Sequence, residues 1–279
     1  MTGFYLTIAG GFPADDNTPL AGYAGFLSDK QRKDVQNGSG VRHANLFGAG
    51  TCYAAAAGRS LIEAGRGFEV GIICTLWPSA LQPTAAFVDR ACKAGPTLVN
   101  PLQFPATLPS AAATAVASAL KGHAFAHVTG RDRLAFFDAL SQAVQAIEFG
   151  FAERVFVLAA SAVVPEALGV PRNGPAVDVA IGLNVSSEKG AAEVQLLGTW
   201  FGTPPEWGGC DVYSVENRNN EREWSFPPFL DAEAYGASGA LLFLNALKYH
   251  RMKAGRLGNR FGIAFHEANR SAFAIFELQ

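Results

Sequence analysis

A helix N-terminus is a natural seat for a nucleophile, because its unpaired amides and dipole lower the pKa of a thiol. In this chain the turn between the strand-like stretch 123–129 and the helix-like stretch 134–149 is such a seat, and it reads Gly130-Arg131-Asp132-Arg133. Arginine stays protonated at any physiological pH and cannot attack a carbonyl. A cation there also opposes the positive end of the helix dipole by about 0.3–1 kcal/mol, unless Asp132 or a partner carboxylate offsets it. The plain reading is a polar turn with Asp132 as helix cap. Two other side chains are candidate nucleophiles: Cys52, at the head of an Ala-rich helix, and Ser161, at the end of an apolar strand. Neither has a His partner in a recognisable motif, and a structural cysteine is the plainer reading of Cys52.

The remaining chemistry-bearing residues exclude more than they assign. His43, His123, His127, His250 and His266 have no HExxH or CxxC companion spacing, so no metal site and no cofactor is expected. Gly10-Gly11 and Gly48-Ala49-Gly50 lack the third glycine and acidic residue of a dinucleotide fingerprint and read as turns. The acid pairs Asp15/Asp16 and Glu221/Glu223 sit in polar surroundings and read as solvated loops. A net charge of −2 with no basic run offers no footprint for nucleic acid or an anionic membrane. The N-terminus does not resemble a signal peptide, and no apolar run approaches the ~18–20 residues of a bilayer span. Four scattered cysteines suit reduced thiols. The expected location is the cytoplasm.

These residues must be carried by a core, and 49% hydrophobic against 16% charged residues in a chain of 279 supplies one. Strand and helix signals alternate, which predicts an α/β architecture. Strands are expected at 4–9, 69–75, 123–129, 154–160, 211–215, 261–265 and 271–278, and helices at 50–63, 110–120, 134–149 and 232–250. The stretches 176–185 and 192–200 read as an antiparallel pair. The helix 110–120 (SAAATAVASAL) is almost purely small residues and permits close approach of other backbone.

The order of these parts resembles the ketosynthase and thiolase group. Asn100-Pro101-Leu102-Gln103-Phe104-Pro105-Ala106-Thr107-Leu108 is similar to that family's S-P-x-x-x-P-x-T-I stretch, which precedes a small-residue helix and a Lys/Arg-Gly pair, here Lys121-Gly122. The family continues with a strand, a T-A-C nucleophile turn, a helix ending in Gly and an apolar strand. Here the turn is Gly130 to Arg133, which puts Arg131, or Arg133 when counted back from the helix, in the cysteine's place. Gly236-Ala237-Ser238-Gly239-Ala240 resembles the glycine-rich opening of a second long helix, and the closing strand-turn-strand has Asn269 in the family's asparagine place. The family's two decarboxylation histidines fall at Glu216 and Ala268.

The resemblance implies a thiolase-like layered α-β-α-β-α fold of two related halves, 1–187 and 188–279, the second shortened. It implies a chain-length-factor type of subunit: catalytically silent, paired as a heterodimer with an active ketosynthase, and working through that complex with an acyl carrier protein in polyketide or fatty-acid-like biosynthesis. Leu102, Gln103, Phe104 and Leu108 would then gate the partner's acyl tunnel, with core packing as the competing reading for Gln103 and Phe104. Ala111, Thr114, His123, Phe125 and His127 would lie at the twofold interface. A homodimeric acyl-binding scaffold and an acyltransferase with a different nucleophile are the alternatives.

Overall fold

The computed structural model describes residues 3–12, 23–25, 27–62, 69–77, 81–122, 124–130, 132–163, 177–190, 192–208, 210–218, 221–224, 237–252, 258–267 and 270–279, with the side chains of 215–218 and 221–224 outside that set. The strands are β1 (Phe4–Gly10), β2 (Ala24–Gly25), β3 (Val70–Thr75), β4 (Phe125–Val128), β5 (Arg154–Ser161), β6 (Asp178–Ser186), β7 (Val194–Phe201), β8 (Asp211–Arg218), β9 (Glu221–Trp224), β10 (Arg260–Glu267) and β11 (Arg270–Leu278). The helices are α1 (Asp29–Gly38), α2 (Ala49–Arg59), α3 (Leu81–Ala94), α4 (Pro109–Leu120), α5 (Ala135–Glu148) and α6 (Ser238–Met252).

The strands form one ladder in the order β4-β3-β5-β6-β1-β7-β11-β10-β8-β9. Its first five strands and its last five make two half-sheets of related design. In the first, β3 pairs parallel with both β4 and β5, and β6 runs antiparallel between β5 and β1. In the second, β10 pairs parallel with β8, and β11 runs antiparallel between β10 and β7. The stretches read as an antiparallel pair, now β6 and β7, do not pair with each other: β1 lies between them and bonds to both. That correction has a simple cause. The N-terminal strand supplies the partner that a short loop suggests for the next strand along the chain, and no local signal reports an insertion from so far away.

Side-chain parity sorts the layers. Ile73, Val155, Val157, Ile181 and Leu183 face one way from the first half-sheet and join α5, α6, Phe261, Ile263 and Phe276 in a single apolar cluster. Alternate residues, among them Ile72, Cys74, Phe156, Leu158 and Ala180, face the other way onto α2 and α4. Hence α5 and α6 lie between the half-sheets, while α2 and α4 cover the outer face of the first. Phe136, Phe137 and Leu140 of α5 are fully buried, each worth about 1.5–3 kcal/mol by apolar burial. Small residues let α2 sit close: a Cβ on Gly11 would come within 2.6 Å of the Ala57 amide nitrogen. Among the described residues no helix covers the outer face of the second half-sheet; Trp207, from the loop between β7 and β8, lies over Gly262 there and meets Phe273 edge-on at 5.9 Å. Among the same residues no helix is long and apolar enough to cross a membrane.

Candidate functional site

Strand β4 ends at a turn whose Gly130 has φ +69. A side chain there would strike Ala135, so the tight return into α5 requires glycine on both counts. Asp132 accepts a hydrogen bond from the Leu134 amide at 2.9 Å, which places the cap in the turn ahead of α5 and not on the helix's own first residues. Its other oxygen pairs with Arg270. Arg133 is buried, 9% exposed, and its Nη1 lies 2.5 Å from Oε1 of Glu267. The carboxylate that offsets the cation at the head of α5 thus comes from the far end of β10, in the other half of the molecule. Two guanidinium–carboxylate pairs therefore tie the turn before α5 to the β10–β11 turn. These groups can hold two segments together, and an arginine guanidinium is no nucleophile.

Arg131 lies outside the described residues, as do Ala268 and Asn269. The backbone of Glu216 stands in β8, in register with His266 of β10 and Glu223 of β9. The alternative nucleophiles are buried. Cys52 is fully enclosed, and burial pushes its thiol up against the opposing hydrogen bond to Ser39; Cys74 rises to about 12 for the same reason. Ser161 is fully enclosed, and among the described residues its hydroxyl has no hydrogen-bond partner. His250 is buried between the Tyr213 hydroxyl at 3.2 Å and the Gly258 carbonyl at 2.6 Å. Because that carbonyl only accepts, Nε2 carries a proton.

The residues assigned to the tunnel stand at the surface. Leu102 is 73% exposed, Phe104 53% and Leu108 42%, on two 3-10 turns, Pro101–Gln103 and Pro105–Thr107, that follow a first one at Pro96–Leu98. Core packing therefore does not describe Phe104, and Gln103 is only half-buried, its Oε1 accepting from Arg90 Nη1 at 3.2 Å. Phe125 and His127 are half-buried on β4, the edge of the first half-sheet, with their rings stacked at 6.1 Å. His127 Nε2 contacts Gln142 Oε1 at 2.5 Å, and Gln142 in turn donates to Thr129 at 2.8 Å. Thr114 is exposed and Ala111 half-exposed on α4; His123 lies outside the described residues.

One polar knot has no counterpart in the sequence reading. Asp178, fully buried at the start of β6, accepts from Arg32 Nε and Nη2 at 3.1 and 3.0 Å, from Tyr53 at 3.2 Å, and from the amides of Leu27 and Val163. Burial and then that carboxylate push the Tyr53 phenol far up. The spacing of 146 residues between Arg32 and Asp178 leaves no local signal.

No protein-family model matches the chain, and no curated protein matches it. Solved structures do. A chain of "The ishigamide ketosynthase/chain length factor" is 15% identical with a TM-score of 0.69, over 88% of this chain and 85% of that one. A chain of a "type II PKS acyl-carrier protein in complex with its ketosynthase bound to the hexaketide" is 13% identical with a TM-score of 0.68, over 99% of both. The complex of a ketosynthase (ApeO) with its chain length factor (ApeC) from Xenorhabdus doucetiae contains a chain 13% identical with a TM-score of 0.55, over 98% of this chain and 96% of that one. At such identities the shared feature is the arrangement of strands and helices, and the α/β fold of this chain is the thiolase-like fold of the ketosynthases.

Proposed function

We propose that the chain is a non-catalytic partner of an active ketosynthase, of the chain-length-factor type, acting with an acyl carrier protein in polyketide or fatty-acid-like synthesis. The observation that carries the reading is the head of α5, where Arg133 is buried against Glu267 on the helix that would bear a ketosynthase's thiolate. A condensing enzyme needs a thiolate there and imidazoles to stabilise the enolate; an ion-paired arginine supplies neither. Arg131, Glu216 and Ala268 are the proposed positions of the lost cysteine and histidines. The exposed Leu102, Phe104 and Leu108, together with Gln103, would enter the partner's tunnel, and Ala111, Thr114, His123, Phe125 and His127 would meet it along the α4 and β4 edge. Among the described residues β4 ends the ladder with one edge unpaired, and Leu102, Phe104 and Leu108 are exposed; open edges and exposed apolar side chains favour association, which supports a dimeric assembly. The test is co-expression with ketosynthases from the same genome, followed by light scattering. A 1:1 complex is expected with one of them; a stable monomer that binds none contradicts the proposal.

A further inference from the structure

Helix α3 contributes no buried residue to the core, which is unusual for 14 residues of an α/β protein and raises the question of what it is for. Its contacts answer. Thr84 Oγ1 donates to the Thr107 carbonyl at 3.3 Å, Phe87 packs on Phe104 with ring centroids 5.9 Å apart, and Arg90 Nη1 donates to Gln103 Oε1 at 3.2 Å. Positions 84, 87 and 90 recur every three residues and so share one helix face. Their partners run in the opposite sense along the chain, 107, 104, 103, so the helix lies antiparallel along the two 3-10 turns and touches them at three levels. The side-chain hydrogen bonds within the turns themselves are local, Asn100 capping Leu102 at 3.0 Å and Thr107 bonding back to the Phe104 carbonyl at 2.7 Å, and of residues 96–108 only Ala106 is buried.

We infer that α3 is a brace whose Thr84–Phe87–Arg90 face sets the height and orientation of Leu102, Gln103 and Phe104, making Phe87 and Arg90 positioning residues for chain-length selection though neither is a tunnel residue. The specificity role rests on the proposed function; the brace itself does not. A 3-10 turn has poor internal hydrogen-bond geometry and rarely persists alone. Removing the ring under Phe104 frees that side chain to move, and a gate that moves admits products of more than one length.

The brace is tested in the whole chain by hydrogen exchange at residues 100–108 and by product length in the ketosynthase complex. Phe87→Ala and Arg90→Ala are expected to raise exchange at 100–108 at least tenfold while the global unfolding midpoint holds, because α3 buries nothing in the core. Phe87→Tyr, which keeps the ring, should exchange like the unaltered chain. In the complex, Phe87→Ala should broaden the products toward longer chains in the direction that Phe104→Ala does. Unchanged exchange in both alanine variants overturns the brace whatever the function. Raised exchange with products that shift for Phe104→Ala but not for Phe87→Ala overturns the specificity role alone. Products unmoved by Phe104→Ala as well overturn the chain-length reading on which that role rests, and the role with it.

Discussion

The two half-sheets share a strand plan and differ in what joins and covers them. In the first, β3 reaches its parallel neighbour β4 by a crossover through α3 and α4. In the second, β8 reaches its neighbour β9 across residues 219–220 as an antiparallel hairpin. A parallel pair needs a long crossover, usually helical, whereas an antiparallel pair needs only a turn. The first half keeps helices on its outer face, with α2 against Gly11 and Gly182; the second has Trp207 over Gly262. The half whose outer face α2 and α4 cover also carries the exposed 3-10 turns and the β4 edge, the surfaces that the proposed partnership uses.

The largest difference between the halves should appear at Asp178, which gathers α1, α2, β5 and β6 around one carboxylate. Asp178→Ala removes the acceptor of the Tyr53 hydroxyl and of the Leu27 and Val163 amides, while Arg32, one-third exposed, keeps Asp29 at 3.5 Å; each buried donor left unsatisfied costs about 1–3 kcal/mol, so urea unfolding should register a loss of about 3–5 kcal/mol, and a loss under 1 kcal/mol would show the first half does not depend on it. Next comes the link between halves. Glu267→Ala leaves Arg133 with one carboxylate fewer at a site still slightly exposed, so a loss of about 2–3 kcal/mol is expected, below the fully buried case. The double variant Arg133→Met with Glu267→Leu should recover most of it.

Glycine substitutions compare the two coverings directly. Gly11→Ala drives a methyl toward the Ala57 backbone at 2.6 Å, and overpacking against backbone costs about 1–3 kcal/mol. Gly262→Ala first meets the Trp207 ring, a side chain that can swing aside, so a smaller loss is expected; equal losses would mean that the loop is as rigid a cover as the helix. The smallest effect concerns thiols. Cys92 is exposed while Cys52 and Cys74 are buried, so a disulfide reagent at neutral pH should modify Cys92 and spare the other two until the chain unfolds. Since burial raises the Cys74 pKa from 9.0 to about 12, the folded state holds that proton longer than the unfolded state. Its contribution to stability is complete below pH 9 and is lost as pH climbs toward 12; Cys74→Ala should flatten the decline in that window.

Much of the first half is legible in the sequence. The helices α2, α4 and α5 follow from runs of small or amphipathic residues, α4 and α5 closed by Lys121-Gly122 and Gly150 as expected, whereas α2 ends at Arg59, short of the expected 63; the apolar runs of β3 and β5 follow from burial on both faces. Helix α3 is not, because Leu81-Gln82-Pro83-Thr84 opens it with a proline and its role is to support a surface turn, so it carries no core stripe. Helix α1 is missed despite its capping box, in which Ser28 and Gln31 bond reciprocally; that spacing is a sequence signal that finds such a start. At the candidate site it is plain from Gly130-Arg131-Asp132-Arg133 that the turn holds no thiol, yet the partners of Asp132 and Arg133 lie 138 and 134 residues away. Contacts of that separation are set by the fold and leave no trace in local spacing.

The central claim is that this chain supports condensation without carrying the acyl group, and intact mass of the complex tests it most directly. The copurified pair would be incubated with acyl carrier protein loaded with an acyl thioester, and each subunit weighed. The account predicts an acyl adduct on the ketosynthase and an unchanged mass for this chain. A stoichiometric adduct on this chain, mapped to one residue, would contradict it.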